Sequence, residues 1–278
     1  MRALLSLVLG LFVALSLWSR PAAGYQEQGS ERVDRTAYTL KGGELSLGIR
    51  TAELGIVDEL MIGTYVPTWF AGPVLGEPIP TGFVKLRDPF HGPFALSVRA
   101  AAVYVDADVL ASRYLENPGS TASVWILPLS LAASYRFGKR FSQSVEGTYV
   151  GVAAAGDRAG HASIRGAVTS TNVTLSTLSE LRLSRVFALT LLAKLMVYRG
   201  DAHVTTEFET ETTEVSANLG AEKPYSGVVA AIVPGFSLSF SHVNFELGVG
   251  YGNIWLPGVE LPIRGRSIVP EGNLYVRF

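Results

Sequence analysis

The sequence predicts an all-β fold: an antiparallel up-and-down β-barrel crossing a membrane with about twelve strands, or ten if two weak runs are discounted. Three observations carry this. Apolar residues recur with a period of two rather than 3.6 along most of the chain. Mean hydropathy is high at +0.28, yet past the N-terminal region no apolar run approaches the roughly 18 residues of a membrane helix. Short and long links between the alternating runs also succeed one another strictly, as turns and loops at the two ends of a barrel do.

The chain opens with Met1-Arg2, an apolar stretch from Ala3 to Trp18, and Ser-Arg-Pro-Ala-Ala-Gly. A charged start, an apolar centre and small residues at Ala22 and Gly24 predict a signal peptide over 1–24, cut after Gly24 or Ala23. Roughly 16 apolar residues are too few for a spanning helix, which needs about 20. Residues 25–278 are then the barrel, with 25–35 as a polar periplasmic lead-in.

Thr36 to Leu40 is a short β-prone run, and Lys41-Gly42-Gly43 a tight turn. Leu45, Leu47 and Ile49 alternate with Glu44, Ser46, Gly48 and Arg50. A second run, Leu60, Ile62, Thr64 and Val66, ends at Trp69-Phe70 before a Pro/Gly-rich loop to Thr81. Gly82 to Arg87 is weaker, and Phe94 to Tyr104 is clear, with Ser97 and Arg99 on its polar side. Trp125 to Tyr135 has an aromatic at each end, and Phe141 to Ala154 places Ser142, Ser144, Glu146 and Thr148 inward. Val173 to Leu183, Phe187 to Val197, Ile232 to Phe240, and Phe245 to Tyr251 continue the pattern. A Pro/Gly-rich loop from Leu256 to Pro270 precedes the last strand. The runs are rich in Val, Thr, Tyr and Phe, which suit a pleated surface. Counting from Glu44 gives eleven strands, and Thr36–Leu40 supplies the twelfth, since a barrel of this kind needs an even number.

Leu274, Val276 and Phe278 share one face of the final strand, opposite Asn273, Tyr275 and Arg277. This ending resembles the C-terminal targeting strand of Gram-negative outer-membrane β-barrels, which carries alternate apolar residues before a terminal Phe. The resemblance implies export to the outer membrane, contact with its lipid, and insertion by the barrel-assembly machinery.

Composition excludes several function classes. The net charge of −1 leaves no basic footprint for nucleic acid. Cysteine is absent, which removes disulfides, thiolate metal sites and a catalytic thiol. No cofactor, metal or catalytic residue is expected. His161-Ala162-Ser163 resembles the His-x-Ser of outer-membrane phospholipases, but Asn172 is not at that family's spacing and the flanking residues differ. The acidic stretch between Gly200 and Pro224, with Glu207, Glu209, Glu211 and Glu214, reads as a solvated outer hairpin rather than a cation site.

The chemistry that the pattern does expose is in the lumen. Glu44, Glu146, Glu180 and Glu246 face inward, as do Arg50, Lys85, Arg87, Arg99, Arg136, Arg182, Lys194 and Arg277. Eight bases against four acids would favour anions in a wet channel. Paired across a narrow barrel, the same residues would stabilise a filled one. Twelve strands lie between the filled barrel of eight and the open channel of sixteen. The expected role is a small porin-like channel or passive transporter for a polar solute. A structural barrel with partner-binding outer loops is the alternative, and a lipid-modifying enzyme a more distant one.

Overall fold

The computed structural model describes residues 32–278 apart from 76–77, 90–91, 107–119, 159–162, 200–201, 211–212, 222–227, 241, 256–261 and 263–265. The predicted signal peptide and residues 25–31 of the lead-in therefore lie outside the described residues, as does His161.

Strands β1 (Leu45–Gly48), β2 (Thr51–Val57) and β3 (Leu60–Tyr65) lead into a helix, α1 (Val66–Leu75). After it come β4 (Thr81–Arg87), β5 (Phe94–Asp106), β6 (Ser120–Phe137), β7 (Phe141–Arg158), β8 (Ser163–Arg182) and β9 (Phe187–Arg199). The remaining segments are β10 (Ala202–Thr210), β11 (Thr213–Ala221), β12 (Ala230–Phe240), β13 (Val243–Gly252) and β14 (Ser267–Arg277). Every pairing is antiparallel, and all but three join chain neighbours: the closing pair β1–β14 and two made by the β10–β11 hairpin. β8 pairs with β9 through Asn172–Arg182 and with β10 through Ser163–Thr169, so β9 and β10 are one stave. β12 returns alongside β9, and β11 alongside β10. The fourteen segments thus form twelve staves, and β1 pairs with β14 to close the barrel.

Period two sorts the side chains by face. On β6, Trp125, Leu127, Leu129 and Leu131 are 46%, 48%, 49% and 58% exposed, whereas Ser130, Ala132 and Ser134 between them are buried. The barrel is therefore apolar outside and polar inside, the reverse of a soluble sheet.

The predicted number of staves is right, but one stave is a different piece of chain. Thr36–Leu40 is not a strand: it runs inside the barrel, with Ala37, Tyr38 and Leu40 at most 2% exposed. Residues 32–35 of the expected lead-in lie inside with it. The twelfth stave is β2, which lies in the stretch left between the first two alternating runs. There Leu54 and Ile56 point out while Glu53 is buried. The run from Glu44 to Thr51 is cut after Gly48, because the chain reverses through Ile49-Arg50 and pairs Leu47 with Ala52. The run expected to reach Phe70 stops at Tyr65, where α1 begins with Pro67 in its first turn, the position that needs no N–H. β14 begins earlier than expected. Pro270 can sit in it because the described pairing with β1 ends at Tyr275, so its missing N–H deprives no partner.

The rim is uneven. β1 to β4 have 4, 7, 6 and 7 residues, while β6, β7 and β8 have 18, 18 and 20. At the seam, β1 and β14 share three residue pairs: Ser46 with Arg277, Leu47 with Val276, and Gly48 with Tyr275. Leu45 and Phe278 then exchange backbone hydrogen bonds of 3.1 and 2.9 Å. On its other side β14 pairs Leu274 with Phe245 and Val276 with Val243. Deleting Phe278 removes both terminal bonds from a short ladder. The fraction of barrel that resists unheated SDS should fall sharply, and further than in Phe278→Ala, which keeps the backbone and loses only the ring stacked on His242 at 6.3 Å. Equal loss in the two variants would mean that the side chain, not the seam, governs assembly.

Candidate functional site: an occupied lumen

Residues 32–40 enter the barrel because the chain reverses tightly before β1. Gly43 has φ of 81°, and Gly42 donates to Asp58 Oδ1 at 2.9 Å. A side chain at Gly55 would come within 2.0 Å of the Lys41 carbonyl oxygen, so only glycine allows the turn to press against β2. The segment itself is compact rather than extended. Arg35 adopts φ of 59°, an uncommon conformation for a residue with a Cβ, and its guanidinium meets Glu271 on β14 at 3.0 and 3.2 Å.

The segment is held from several sides. Arg32 donates to Glu246 on β13 at 2.6 Å. Arg50, at the β1–β2 turn, lies 3.3 Å from both Asp34 and Glu271. Lys85 on β4 donates to the carbonyl oxygens of Val33, Thr36 and Tyr38 at 3.0, 2.8 and 2.6 Å. The Ala37 N–H donates to Ser134 Oγ on β6 at 2.7 Å. Arg87 lies over the Tyr38 ring, 5.4 Å from its centre. Apolar contacts add to these: Val33 and Leu40 join Met61, Tyr65, Phe83 and Val103, and Ala37 and Tyr38 join Ala95 and Ala132. Burial alone would raise the Asp34 carboxyl, but Arg50, Arg35 and Arg32 outweigh it and hold it well below its ordinary 3.8. Its contribution to docking is therefore complete above about pH 4 and is lost only as pH falls through the depressed value.

Six of the other charges chosen from sequence form ion pairs within the wall. Arg99 meets Glu146 at 3.0 Å, and Arg182 meets Glu180 at 2.8 Å. Arg277 Nη2 donates to Glu44 at 2.8 Å beside the seam. Lys194 is buried over the Trp255 ring, 5.5 Å from its centre. Arg136 follows Ser134 on the inward face of β6. The structure does not gather these residues into one site: Arg50, Lys85, Arg87 and Glu246 touch the segment, whereas Arg99–Glu146 and Arg277–Glu44 cross-link the wall and Arg182–Glu180 pairs within β8.

Sequence reasoning missed Glu53, Glu271 and the charges of the segment itself. Extending the alternation of Asn273, Tyr275 and Arg277 by one further step reaches Glu271. Adding Glu53 and Glu271 brings the inward acids to six against eight bases, which lowers the net positive count for the wall from four to two. Between wall and segment lie cavities of about 30, 10 and 10 Å³, room for about two waters in the first and at most one in each of the others. Much of the buried wall is small and polar: Ser97, Ser130, Ser144, Thr148, Asn172, Thr174, Ser176, Ser237 and Asn273. Among the described residues no group of His, Cys, Asp or Glu is placed to hold a metal ion.

No protein-family model matches the chain, and no curated relative does. Among solved structures it is similar to CdiB from Escherichia coli, with a TM-score of 0.25 and 10% identity over 86% of this chain and 63% of that one. The chain thus spans less than two thirds of that structure, and so slight a likeness bears on neither fold nor function.

Proposed function

We propose that this chain is an outer-membrane barrel that passes a polar solute and is closed at rest by residues 32–40. One observation carries the channel reading. Wall side chains alone can fill the interior of a barrel of about eight strands, whereas twelve strands enclose more room. This one lines much of its lumen with Ser, Thr and Asn and fills it with a separate piece of chain. With the segment withdrawn, that polar wall would wet, and the residual charge would favour anions.

The outer surface supports the membrane reading. Tyr104 packs on Trp125 at 4.8 Å near one end of β6, and Tyr135 packs on Phe137 at 4.5 Å near the other. At about 3.3 Å per residue and a tilt of about 40°, the rise from Trp125 to Tyr135 is about 25 Å, the height of an apolar band between aromatic girdles. Lipid and the assembly machinery are the partners this reading requires, and it assigns no catalytic step. A second reading, a closed barrel that presents a surface to a partner, is favoured by the height of β6 to β8 and by the β10–β11 hairpin, which carries the sheet beyond the barrel body.

Leu191 on β9 tests the membrane reading. It is 46% exposed, so Leu191→Arg would be nearly neutral in water. At the midplane of a bilayer it should cost about 2–4 kcal/mol, read from urea unfolding in lipid vesicles. An unchanged midpoint would mean that this face meets water. In planar bilayers the native protein should be mostly closed, and loosening the segment should produce anion-preferring openings; a barrel silent in both forms would leave the second reading standing.

A further inference from the structure

We infer that the lumen is a binding site for short basic peptides, and that residues 32–40 occupy it as a built-in competitor. The inference rests on the proposal that the segment can leave, and it names what would replace it.

The wall recognises the segment by two kinds of contact. The first kind is to peptide backbone. Lys85 gathers the carbonyl oxygens of Val33, Thr36 and Tyr38, and Ser134 accepts the Ala37 N–H. None of these contacts depends on side-chain identity, and a lone ammonium facing three carbonyl oxygens suits a folded peptide better than a sugar or an inorganic ion. The second kind is to basic side chains. Glu246 takes Arg32 and Glu271 takes Arg35, with Arg50 opposite Asp34. When the segment withdraws, Glu246 loses its arginine and Glu271 keeps only Arg50. The vacated wall then carries the carboxylates of Glu246 and Glu271, the guanidiniums of Arg50 and Arg87, and the Lys85 ammonium. A polar solute without cationic groups would leave Glu246 without its arginine and Glu271 with Arg50 alone, whereas a peptide with basic residues at its first and fourth positions supplies both partners. The tether gives the built-in segment a high effective concentration, so an incoming peptide binds poorly until that segment is weakened.

The test uses the full-length Arg32→Ala/Arg35→Ala variant, in which the backbone contacts remain and both ion pairs are gone. A fluorescent peptide with the sequence of residues 32–40 is titrated against barrels in lipid vesicles, and binding is read by anisotropy. It should bind the variant at least about tenfold more tightly than the native protein. Replacing both peptide arginines with citrulline, which keeps shape and removes charge, should weaken binding about tenfold or more. Introducing Glu271→Gln into the variant should erase most of the difference made by citrulline at the fourth position. Resistance to unheated SDS establishes that each barrel is assembled. Equal binding of the arginine and citrulline peptides, or no binding to an assembled variant, overturns the inference. Conductance is a separate readout. Selective peptide binding to a barrel that never conducts would sink the channel and keep the site, while conductance without selective binding would do the reverse.

Discussion

Lys85→Met should open the barrel. The ammonium is buried and donates to three carbonyl oxygens of the segment at 3.0, 2.8 and 2.6 Å. Methionine has nearly the same length and packs adaptably, but it donates nothing. A buried acceptor left without a partner costs about 1–3 kcal/mol, and three share this donor. A loss of about 3 kcal/mol or more therefore falls on the docked state alone, because the withdrawn carbonyls are hydrated. The wall should tolerate the change, since an apolar side chain replaces an ammonium that has no wall carboxylate among its hydrogen-bond partners. Two measurements follow: channel openings in a planar bilayer should become frequent, and trypsin should cleave after Arg32 and Arg35 at a rate at least about a hundredfold higher. Ser134→Ala, which removes one bond to Ala37, should move both readouts the same way by a smaller amount. If Lys85→Met stays closed and protected, the segment is held by its ion pairs and apolar contacts, and the carbonyl cluster is incidental.

The outer surface was legible in the sequence because it is written locally. Leu127, Leu129 and Leu131 declare a face by spacing alone, and Ser130 and Ser134 declare the opposite one. The lumen occupant has no such signature. Three of residues 32–35 are charged and the stretch is aperiodic, and what places them is a set of partners far along the chain, such as Glu246 for Arg32 and Glu271 for Arg35. No window of sequence contains both members of those pairs. The run Thr36–Leu40 misleads for the same reason: β-prone residues suit a wall strand and a buried occupant alike, and only the turn at Lys41–Gly43, packed on Gly55, decides between them. β2 was hidden because Glu53 and Gly55 interrupt a short run. Glu53 is an inward residue, and Gly55 is there for the turn rather than for the strand.

The wall pairs and the segment answer different questions about the same interior. On the proposed reading the segment's ties hold a piece of chain that withdraws, so breaking them should change occupancy. The ties between strands belong to the barrel, so breaking them changes stability. Arg99 and Glu146 lie on β5 and β7, separated by β6, and Arg99 also reaches Ser130 there at 3.4 Å.

Arg99→Glu should consequently destabilise the barrel far more than it opens it. The guanidinium sits 3.0 Å from Glu146, with both side chains largely buried. Reversing the charge places a carboxylate against Glu146, with Glu53 also on the inward wall and little water to screen any of them. Removing one partner of a buried pair costs about 3–5 kcal/mol, and a like charge in its place costs at least as much. In a chain of this size that corresponds to a fall of order 10 °C in the temperature at which the unheated-SDS band is lost. The reciprocal change Glu146→Arg, made in the same molecule, restores opposite charges on β5 and β7 and should recover most of that fall. Conductance should rise far less than in Lys85→Met, because the Lys85 ammonium, the register neighbour of Arg99, keeps its three carbonyl partners in the segment. If Arg99→Glu left the melting temperature unchanged, the pair would be open to water. Openings in that variant at unchanged stability would instead mean that Arg99 holds the segment and not the wall.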